Sequence, residues 1–347
     1  MAVSFKGGKR YKKHNGFSES ITIKSPLPSP VHFYDISRNN NIILQPCVGI
    51  GDYVLKGQKI ADLDVFDALP VFSSVSGKVI SVTNNRITIE NDMLYDEAVM
   101  TSGNASPDKL TSRELLWLIR EGGIREIRSD VPLHVLLSSQ KVPDCVIVCC
   151  FDSDPYVSAP QAASLKNSNK ILAALNIVLR LLGTKKAYIA VEQGCKSIYS
   201  DFKRHLRYRK DILLYCLKAR YPQSRSDILI KTITGKNQDN INAVILSTET
   251  LCNIADVLKY GKPVTEKLVT VSGDDILTPA VYNAPLGMPI SALIANSGYT
   301  NPQTLIKNGV ISGAKIIDAD TPITADTEAI SVFNDKNNIP KYAKELI

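Results

Sequence analysis

Short polar turns follow two predicted strands of this chain, the apolar runs 144–150 and 187–192. The first turn is acidic and contains a proline, and the second combines a glutamate with a glycine. In open α/β sheets, ligands bind at the carboxyl ends of the strands. We therefore expect a binding site between these two turns. The candidate binding residues are Asp152, Asp154, Tyr156, Glu192 and Gly194.

A carboxylate at the end of a strand also has a purely structural interpretation. Asp154 and Glu192 could each cap the helix that follows them, because a carboxylate accepts hydrogen bonds from the free amides of a helix N-terminus. The sequence leaves both interpretations open.

The elements that position these turns alternate between strand and helix. An amphipathic helix is predicted at 164–182, and a basic helix that includes 203–218 is predicted after the strand 187–192. The alternation predicts a Rossmann-like α/β domain, which we place at 108–262. The residues of the basic helix expected to face the core are Phe202, Leu206, Leu213, Leu214 and Leu217.

The basic segment 203–218 carries interleaved tyrosines and has two interpretations. It could be a nucleic-acid surface or simply the solvated face of a helix. Because no recognised nucleic-acid fold surrounds it, the solvated face is favoured and no nucleic-acid partner is predicted.

The cysteines are scattered along the chain. There are seven, and none forms a C-x-x-C pair, so neither an Fe–S cluster nor a zinc ribbon is predicted. Most lie in apolar surroundings, as free cysteines do in a reducing compartment. Cys149 and Cys150 precede the acidic turn, where Asp152 and Asp154 would raise their thiol pKa and oppose a reactive thiolate.

Length and composition indicate a globular protein with more than one domain. The 347 residues allow two or three domains, and the contents of 44% hydrophobic and 22% charged residues are ordinary. No apolar run reaches the ~18 residues of a membrane span, and the N-terminus lacks an apolar signal core. We therefore expect a cytoplasmic protein without a membrane span.

Residues 31–100 consist of short predicted strands separated by Gly, Asn and Pro turns. The segments 48–64 and 70–82 resemble the two hairpin halves of the barrel-sandwich hybrid of biotinyl and lipoyl carrier domains. Lys78 lies near the place of a carrier's swinging lysine but follows Ser-Gly. We therefore expect no covalent cofactor and a rigid docking domain instead.

Three further segments complete the chain. Residues 1–30 form a basic, proline-punctuated arm that is expected to wrap over the next domain. A helix with Ser112 as N-cap and Trp117 as core anchor precedes the α/β unit. Residues 264–335 predict two strands, a helix and a last strand, which is a β-grasp (SLBB-type) pattern with a C-terminal tail.

A series of short motifs extends over almost the whole chain. They are FKGG at 5–8, VLKGQKI at 54–60, ALPV at 68–71, SVSG at 74–77, DPY at 154–156, VE at 191–192, YPQ at 221–223, TG at 234–235, GKP at 261–263, VTVSG at 269–273 and PLG at 285–287. Their order and spacing resemble the RnfC family, the soluble subunits of Rnf electron-transport complexes. That family is related to proteins associated with cobalamin reduction and proline reductase, and to the NADH-binding flavoprotein subunit of respiratory complex I.

The resemblance implies a multidomain α/β and β protein. Its parts would be a barrel-sandwich hybrid, a Rossmann-like flavoprotein-type domain and a β-grasp domain. It also implies FMN or NADH as candidate cofactors, and redox proteins as partners, with a larger electron-transfer complex as one setting.

Two departures from the family pattern affect the functional prediction. The family's glycine-rich loop, which lets backbone amides approach the flavin phosphate, is replaced by GGIREIRSDVPL at 122–133, whose bulky and acidic residues are expected to exclude a phosphate. Arg125 and Arg128 could bind an anion only by a different geometry. The family's C-terminal ferredoxin-like cysteine runs have no counterpart after Cys252, so an Fe–S cluster is not expected.

These observations lead to three functional hypotheses. The favoured one is an RnfC-like electron-transfer subunit or accessory protein with a degenerate nucleotide loop, which docks redox partners. The second is an FMN- or NADH-dependent oxidoreductase with a remodelled loop, in which Asp152 and Glu192 face the flavin and Tyr156 stacks on it. The third is a ligand- or nucleic-acid-binding protein without a redox role.

Overall fold

The computed structural model describes residues 2–10, 21–38, 42–98, 107–138, 141–302, 304–335 and 339–340. Its larger sheets form three groups along the chain, and the helices are concentrated around the central group. No helix in this described part of the chain has both the length and the apolar character needed to cross a bilayer.

The described part of the N-terminal arm contacts distant parts of the chain. Val3 forms a parallel bridge with Leu217, and strand β1 (Ile23–Lys24) pairs in parallel with the strand at 280–285. Only the end of the described arm joins the next sheets, where the Pro30 carbonyl accepts a backbone hydrogen bond. At these pairings the arm does not lie over the next domain, so that prediction is wrong for them. The arm instead supplies backbone hydrogen-bond partners to the edges of later sheets.

Residues 31–38 and 42–91 form two small sheets around one shared apolar core. One sheet has the order β2-β10-β9-β6, the other has the order β5-β7-β8, and β3 and β4 pair separately. Buried and exposed side chains alternate along β2 and β10, as expected where one face of a sheet is packed and the other solvated. The strands are β2 (Val31–Asp35), β3 (Ser37–Arg38), β4 (Ile42–Ile43), β5 (Gln45–Pro46), β6 (Tyr53–Val54), β7 (Lys59–Asp62), β8 (Val71–Phe72), β9 (Gly77–Val82) and β10 (Arg86–Asn91).

Helix α1 (Ser112–Glu121) begins with a capping box. The Thr111 hydroxyl accepts from the Glu114 amide at 3.3 Å, and the Glu114 carboxylate accepts from the Thr111 amide at 2.8 Å. The N-cap is therefore Thr111 and not the predicted Ser112. Trp117 is 57% exposed, so the prediction that it anchors the core is wrong. It lies two residues from the buried Leu115, about 200° around the helix.

Replacing Thr111 by alanine is expected to lower the free energy of unfolding by about 1 kcal/mol, because the Glu114 amide loses the hydroxyl to which it donates. Urea unfolding followed by the fluorescence of Trp117, the single tryptophan, measures the loss. Thr111→Ser keeps the hydroxyl and is the control. Equal losses in the two variants would show that the hydroxyl does not carry the effect.

A short hairpin and a helix connect α1 to the central sheet. They are β11 (Arg125–Glu126), β12 (Val131–Pro132) and α2 (Leu133–Ser138). The central sheet is parallel and has four strands in the order β15-β14-β13-β16. Its strands are β13 (Cys145–Cys149), β14 (Ala187–Glu192), β15 (Ile212–Leu217) and β16 (Ala243–Ser247).

Helices cover both faces of the central sheet. The larger apolar cluster contains side chains of α1, α4, α5 and α7, and a second cluster, on the other face, contains those of α6. This is the layered α/β arrangement that the alternation of strand and helix predicts. The helices are α3 (Ala159–Ser164), α4 (Ser168–Leu182), α5 (Lys196–His205), α6 (Ser226–Thr234) and α7 (Thr248–Tyr260).

The basic helix is shorter than predicted. It ends at His205, and residues 212–217 form the edge strand β15 instead of its continuation. The inward direction predicted for Leu213 is therefore wrong, since its side chain is 40% exposed. A short apolar run fits a strand and a helix equally well, so periodicity alone could not decide between them.

Five strands of the C-terminal residues and β1 of the N-terminal arm form a six-stranded mixed sheet in the order β1-β18-β17-β21-β19-β20. The central strands β17 and β21 are parallel, and α8 packs with the apolar core of this sheet. The two strands, helix and last strand predicted here are all present, whereas β19 and β20 were not predicted. The elements are β17 (Glu266–Ser272), β18 (Ala280–Pro285), α8 (Ile290–Ala295), β19 (Thr304–Lys307), β20 (Ala314–Ile316) and β21 (Ala329–Phe333).

Candidate functional site

The central sheet has a topological switch point between β13 and β16. The chain moves from β13 to β14 and β15 on one side, and then returns to β16 on the other side. Crevices at the carboxyl ends of strands at such a point are the usual ligand sites of open α/β sheets. The turn after β13, the loop 122–133 and the N-terminus of α7 meet there.

The acidic turn after β13 is held by hydrogen bonds to its own backbone and to the loop before α6. Asp152 accepts from the Asp154 amide at 2.6 Å and from the Ser224 hydroxyl at 3.3 Å. The Ser153 hydroxyl lies 2.7 Å from that of Ser224. These contacts fix Asp152 at the edge of the sheet, where it is only partly buried.

Asp154 connects the acidic turn to the C-terminal sheet. Its carboxylate accepts from the Tyr156 amide and from the Ile311 amide, both at 2.9 Å. Burial raises the pKa of Asp154 to about 6, and the nearby Asp152 adds to this, while the backbone amides oppose it. The structure thus gives Asp154 a bridging role and not a capping role, since the N-cap of α3 is Ser158.

Tyr156 lies in the core of this junction. Its side chain is 5% exposed, and its ring centroid lies 5.6 Å from that of Phe333 in an edge-to-face arrangement. Ile306, Val310 and Ile339 belong to the same apolar cluster. The ring therefore contributes to packing between the acidic turn and the C-terminal sheet.

Glu192 and Gly194 lie at the end of the neighbouring strand β14. Glu192 is 5% exposed, and its carbonyl accepts from the Cys195 amide at 3.2 Å. Gly194 is exposed and has a φ of +110°, a conformation that favours glycine. The two residues form a tight turn on the same edge of the sheet as the acidic turn.

The loop 122–133 places a buried carboxylate at the switch point. Glu126 is fully buried and accepts from the Ser247 amide at 3.1 and 3.2 Å and from the Arg128 amide at 3.1 Å. Burial raises the pKa of Glu126, and these amide donors oppose the rise. Ser247 is the N-cap of α7, and its hydroxyl accepts from the Thr250 amide at 3.1 Å. The Glu126 carboxyl group thus accepts a hydrogen bond from the backbone N–H of the N-cap residue of this helix.

The two arginines of the same loop bind groups of the protein itself. Arg125 is 7% exposed and pairs with the Asp130 carboxylate at 2.9 Å. Arg128 donates to the Ser224 carbonyl. Burial disfavours the charged form of Arg128 and would lower its pKa. Nearby groups, including Cys149 and Asp152, outweigh this effect, so the pKa of Arg128 is raised. The loop is therefore folded into the edge of the sheet by its own charged side chains.

A cluster of charged side chains joins the loop, the central sheet and the C-terminal sheet. Lys267 and Glu249 form an ion pair with side chains 3% and 9% exposed, and Glu249 also accepts from the Leu268 amide at 2.8 Å. Burial raises the pKa of Glu328 to about 7, with Lys267 and Arg128 opposing the rise. We call this set the junction cluster: Arg128, Asp152, Glu249, Lys267 and Glu328.

The cysteines beside the acidic turn are buried. Burial raises the pKa of Cys149, with a smaller contribution from Asp152, and burial also raises the pKa of Cys150 well above its usual range. The predicted direction is confirmed, but burial and not the acidic turn is the main cause. Neither thiol is suited to act as a nucleophile near neutral pH.

Comparisons with known proteins agree with this architecture. The family model of the RnfC barrel-sandwich hybrid domain matches residues 3–102, and that of the Nuo51 FMN-binding domain matches residues 119–257. One relative, from Clostridium ljungdahlii, belongs to a proton-translocating ferredoxin:NAD(+) oxidoreductase complex and is 27% identical over 95% of this chain and 76% of the relative. The chain belongs to the RnfC family.

Other RnfC relatives differ in how much of their length this chain spans. The relative from Acetobacterium woodii belongs to a Na(+)-translocating ferredoxin:NAD(+) oxidoreductase complex and is 25% identical over 82% of this chain and 69% of the relative. The relative from Haemophilus influenzae belongs to an ion-translocating oxidoreductase complex and is 24% identical over 92% of this chain, which spans 42% of that relative.

A solved structure shares the fold. An NAD+-reducing [NiFe]-hydrogenase aligns with a TM-score of 0.54 and 14% identity over 69% of this chain, which covers 53% of the hydrogenase chain. The predicted RnfC resemblance, barrel-sandwich hybrid and complex I flavoprotein-like α/β fold are thus confirmed.

The five predicted site residues all lie at the carboxyl edge of the RnfC-type α/β sheet. Asp152, Asp154 and Tyr156 are joined in one turn, and Glu192 and Gly194 follow the adjacent strand. Their assignment to a cofactor stays a prediction.

Sequence reasoning missed most of the charged groups around them. The predicted candidates did not include Ser224, Glu249, Lys267 and Glu328. The burial of Lys267 could nevertheless have been predicted from the sequence. Lys267 alternates with Val269 and Val271 along β17, and side chains two residues apart point to the same face of a strand. A lysine in an inward register predicts a buried acidic partner.

Replacing Gly309 by alanine is expected to destabilise the protein by about 2–3 kcal/mol. An added Cβ would lie 2.5 Å from Cγ of Asp154, and φ of Gly309 is +95°, so the turn that clamps Asp154 must shift. Urea unfolding measures the loss. Gly235→Ala is the matched control, because φ there is +74° but a Cβ would meet nothing within 4 Å. Equal losses would contradict a specific role of the Asp154 contact.

Proposed function

We propose that this chain is an RnfC-type electron-transfer subunit or accessory protein whose nucleotide loop is no longer built to bind a flavin phosphate. It would act by docking redox proteins within a larger electron-transfer complex, as its relatives are named as subunits of such complexes. The observation that carries the proposal is the buried Glu126 carboxylate on the Ser247 amide at the switch point.

The N-terminus of α7 is the position at the switch point where an anion would be expected. The N-terminus of a helix attracts anions through its free amides and its dipole. Here Glu126 accepts from the amides of Ser247 and Arg128, so a buried carboxyl group already lies where a phosphate would be expected. A phosphate placed there would find these donors in use, and the branched side chains of the loop would keep it from the backbone. The residues of this loop therefore do not fit the phosphate of FMN.

The surroundings of the site support docking as the role of the other modules. We assign 1–30 to an arm, 31–100 to the barrel-sandwich hybrid, 108–262 to the flavoprotein-type domain, and 264–335 to a β-grasp domain of SLBB type with its tail. The order β18-β17-β21-β19, with parallel central strands, supports the β-grasp assignment. The proposed setting is the cytoplasm, and no Fe–S cluster is assigned to this chain.

One observation favours a second candidate function, an FMN- or NADH-dependent oxidoreductase with a remodelled loop. The match to the Nuo51 FMN-binding domain spans 119–257 and so includes both polar turns of the carboxyl edge. In this alternative, Asp152, Glu192 and Gly194 would contact the cofactor, while Asp154 and Tyr156 would hold the turn in place.

Mass spectrometry of the natively purified protein, together with its visible spectrum, tests the two candidates. We expect a colourless protein that binds no FMN even after incubation with an excess of it, and that does not bleach when NADH is added to an FMN mixture. Incubation with FMN before desalting controls for loss of a weakly held cofactor. A yellow protein that releases one FMN on denaturation and bleaches with NADH would overturn the proposal and establish the alternative.

A further inference from the structure

The amino-terminal edge of the central sheet, opposite the candidate site, is strongly basic. The loops that lead into its four adjacent strands are residues 206–211, 183–186, 141–144 and 235–242. These loops contain seven basic and three acidic residues. We call the basic set the basic edge: Lys141, Lys185, Lys186, Arg207, Arg209, Lys210 and Lys236.

The sheet brings these residues together although they are far apart in sequence. Adjacent strands lie about 4.8 Å apart, so four of them span roughly 15 Å. The charges of Lys186 and Lys236 both act on the Cys145 thiol at the start of β13. The Lys141 carbonyl accepts from the Asn242 side chain at 2.9 Å. The basic edge is therefore one continuous surface.

Helix stability does not explain this charge. The cations in the last turn of α5, Lys203 and Arg204, stabilise the helix dipole but are not part of the basic edge. Lys185, Lys186 and Lys210 are exposed and lie outside the helices. Arg209 is an exception, because it binds the Asp211 carboxylate at 2.8 and 2.5 Å. Lys186 also lies over the Tyr188 ring, with its Nζ 5.3 Å from the ring centroid. The exposed lysines Lys141, Lys185, Lys210 and Lys236 extend the charge of the basic edge into solvent.

We propose that the basic edge binds the anionic phospholipid surface of a membrane. Its cations are mainly lysines, which are depleted in specific protein interfaces but suit diffuse attraction to anionic headgroups. Tyr208 is 86% exposed and Val142 68% exposed on the same edge. An exposed tyrosine with its ring next to the Arg207 guanidinium, 5.4 Å away, has the amphipathic character of an interfacial residue. This inference does not depend on the function proposed above.

Membrane binding at the basic edge would orient the protein. The carboxyl edge, with Asp152, Asp154 and Glu192, lies at the other end of the same strands and would face away from the lipid. The candidate site would then stay accessible to a partner from solution.

Flotation of the full-length protein with vesicles tests the proposal. We expect binding to vesicles of 70% phosphatidylcholine and 30% phosphatidylglycerol at 50 mM NaCl, and its loss at 500 mM NaCl, because salt screens exposed charges. Vesicles of phosphatidylcholine alone should not bind. The double variant Lys185→Glu and Lys210→Glu should weaken binding at least about thirty-fold, which corresponds to about 2 kcal/mol.

A second charge-reversal variant is the control. Lys78→Glu with Lys315→Glu changes the net charge equally but at exposed positions outside the basic edge, and should bind as the unmodified protein does. Circular dichroism confirms that each variant is folded. Equal weakening in both variants, no binding to anionic vesicles, or tighter retention by duplex DNA than by the vesicles at the same salt would each overturn the proposal.

Discussion

Replacing Lys267 by methionine is expected to lower the free energy of unfolding by about 3–5 kcal/mol. The change removes the partner of Glu249, whose side chain is 9% exposed, and leaves a buried carboxylate without a compensating cation. The amide of Leu268, 2.8 Å from Glu249, offsets only part of the lost interaction. Urea unfolding of the two proteins at pH 7.5 measures the difference.

Two further variants separate the ion pair from a general effect of the substitution. Lys267→Met combined with Glu249→Leu should recover most of the loss, because replacing both members of a buried pair by apolar residues is often nearly neutral. Lys56→Met removes the more exposed pair with Glu266, whose side chains are 21% and 35% exposed, and should cost less than about 1 kcal/mol. A double variant as unstable as the single one would show that the buried charge is not the cause.

The sequence was sufficient to predict the order and type of most elements of the fold. Alternating strand and helix patterns predicted the central sheet, and the runs at 264–335 predicted four elements of the C-terminal sheet. The errors came where local pattern is ambiguous. Residues 212–217 are continuously apolar, so the run fits a helix or a strand until its pairing with β14 is known. Trp117 is exposed because its helix presents Leu115 and Ile119 to the core instead.

Less of the candidate site could be predicted from the sequence, because its contacts join residues far apart in the chain. The acidic turn could be placed at the sheet edge from the order of strands alone. That Asp154 would accept from Ile311, 157 positions later, depends on how the C-terminal sheet docks. From the sequence we predicted that the bulky and acidic residues at 122–133 exclude a phosphate, and this stays a prediction. The sequence could not indicate that Glu126 itself would occupy the amide of Ser247.

The variant Glu328→Gln is expected to become more stable relative to the unmodified protein as the pH rises from 4.5 to 8, by about 3 kcal/mol in total. Burial raises the pKa of Glu328 from its usual 4.5 to about 7. The folded protein therefore holds this proton over a range in which the unfolded chain has released it. The stabilisation from protonated Glu328 is complete below pH 4.5 and is lost by pH 8, whereas an amide loses nothing.

Urea unfolding at several pH values measures this difference, and the comparison between variants is essential. Burial lowers the pKa of His32 to about 4, which makes the folded state less favourable as pH falls from 6.5 and so opposes the slope from Glu328. His32 is present in both proteins, so its contribution cancels. Glu97→Gln is the control: the Lys262 ammonium holds the pKa of Glu97 below its usual 4.5, so its stabilisation is fully present well above pH 4.5 and is constant over most of this range. A stability difference for Glu328→Gln that stays constant with pH would mean that Glu328 is charged in the folded protein, and that Arg128 and Lys267 outweigh the burial that isolates it.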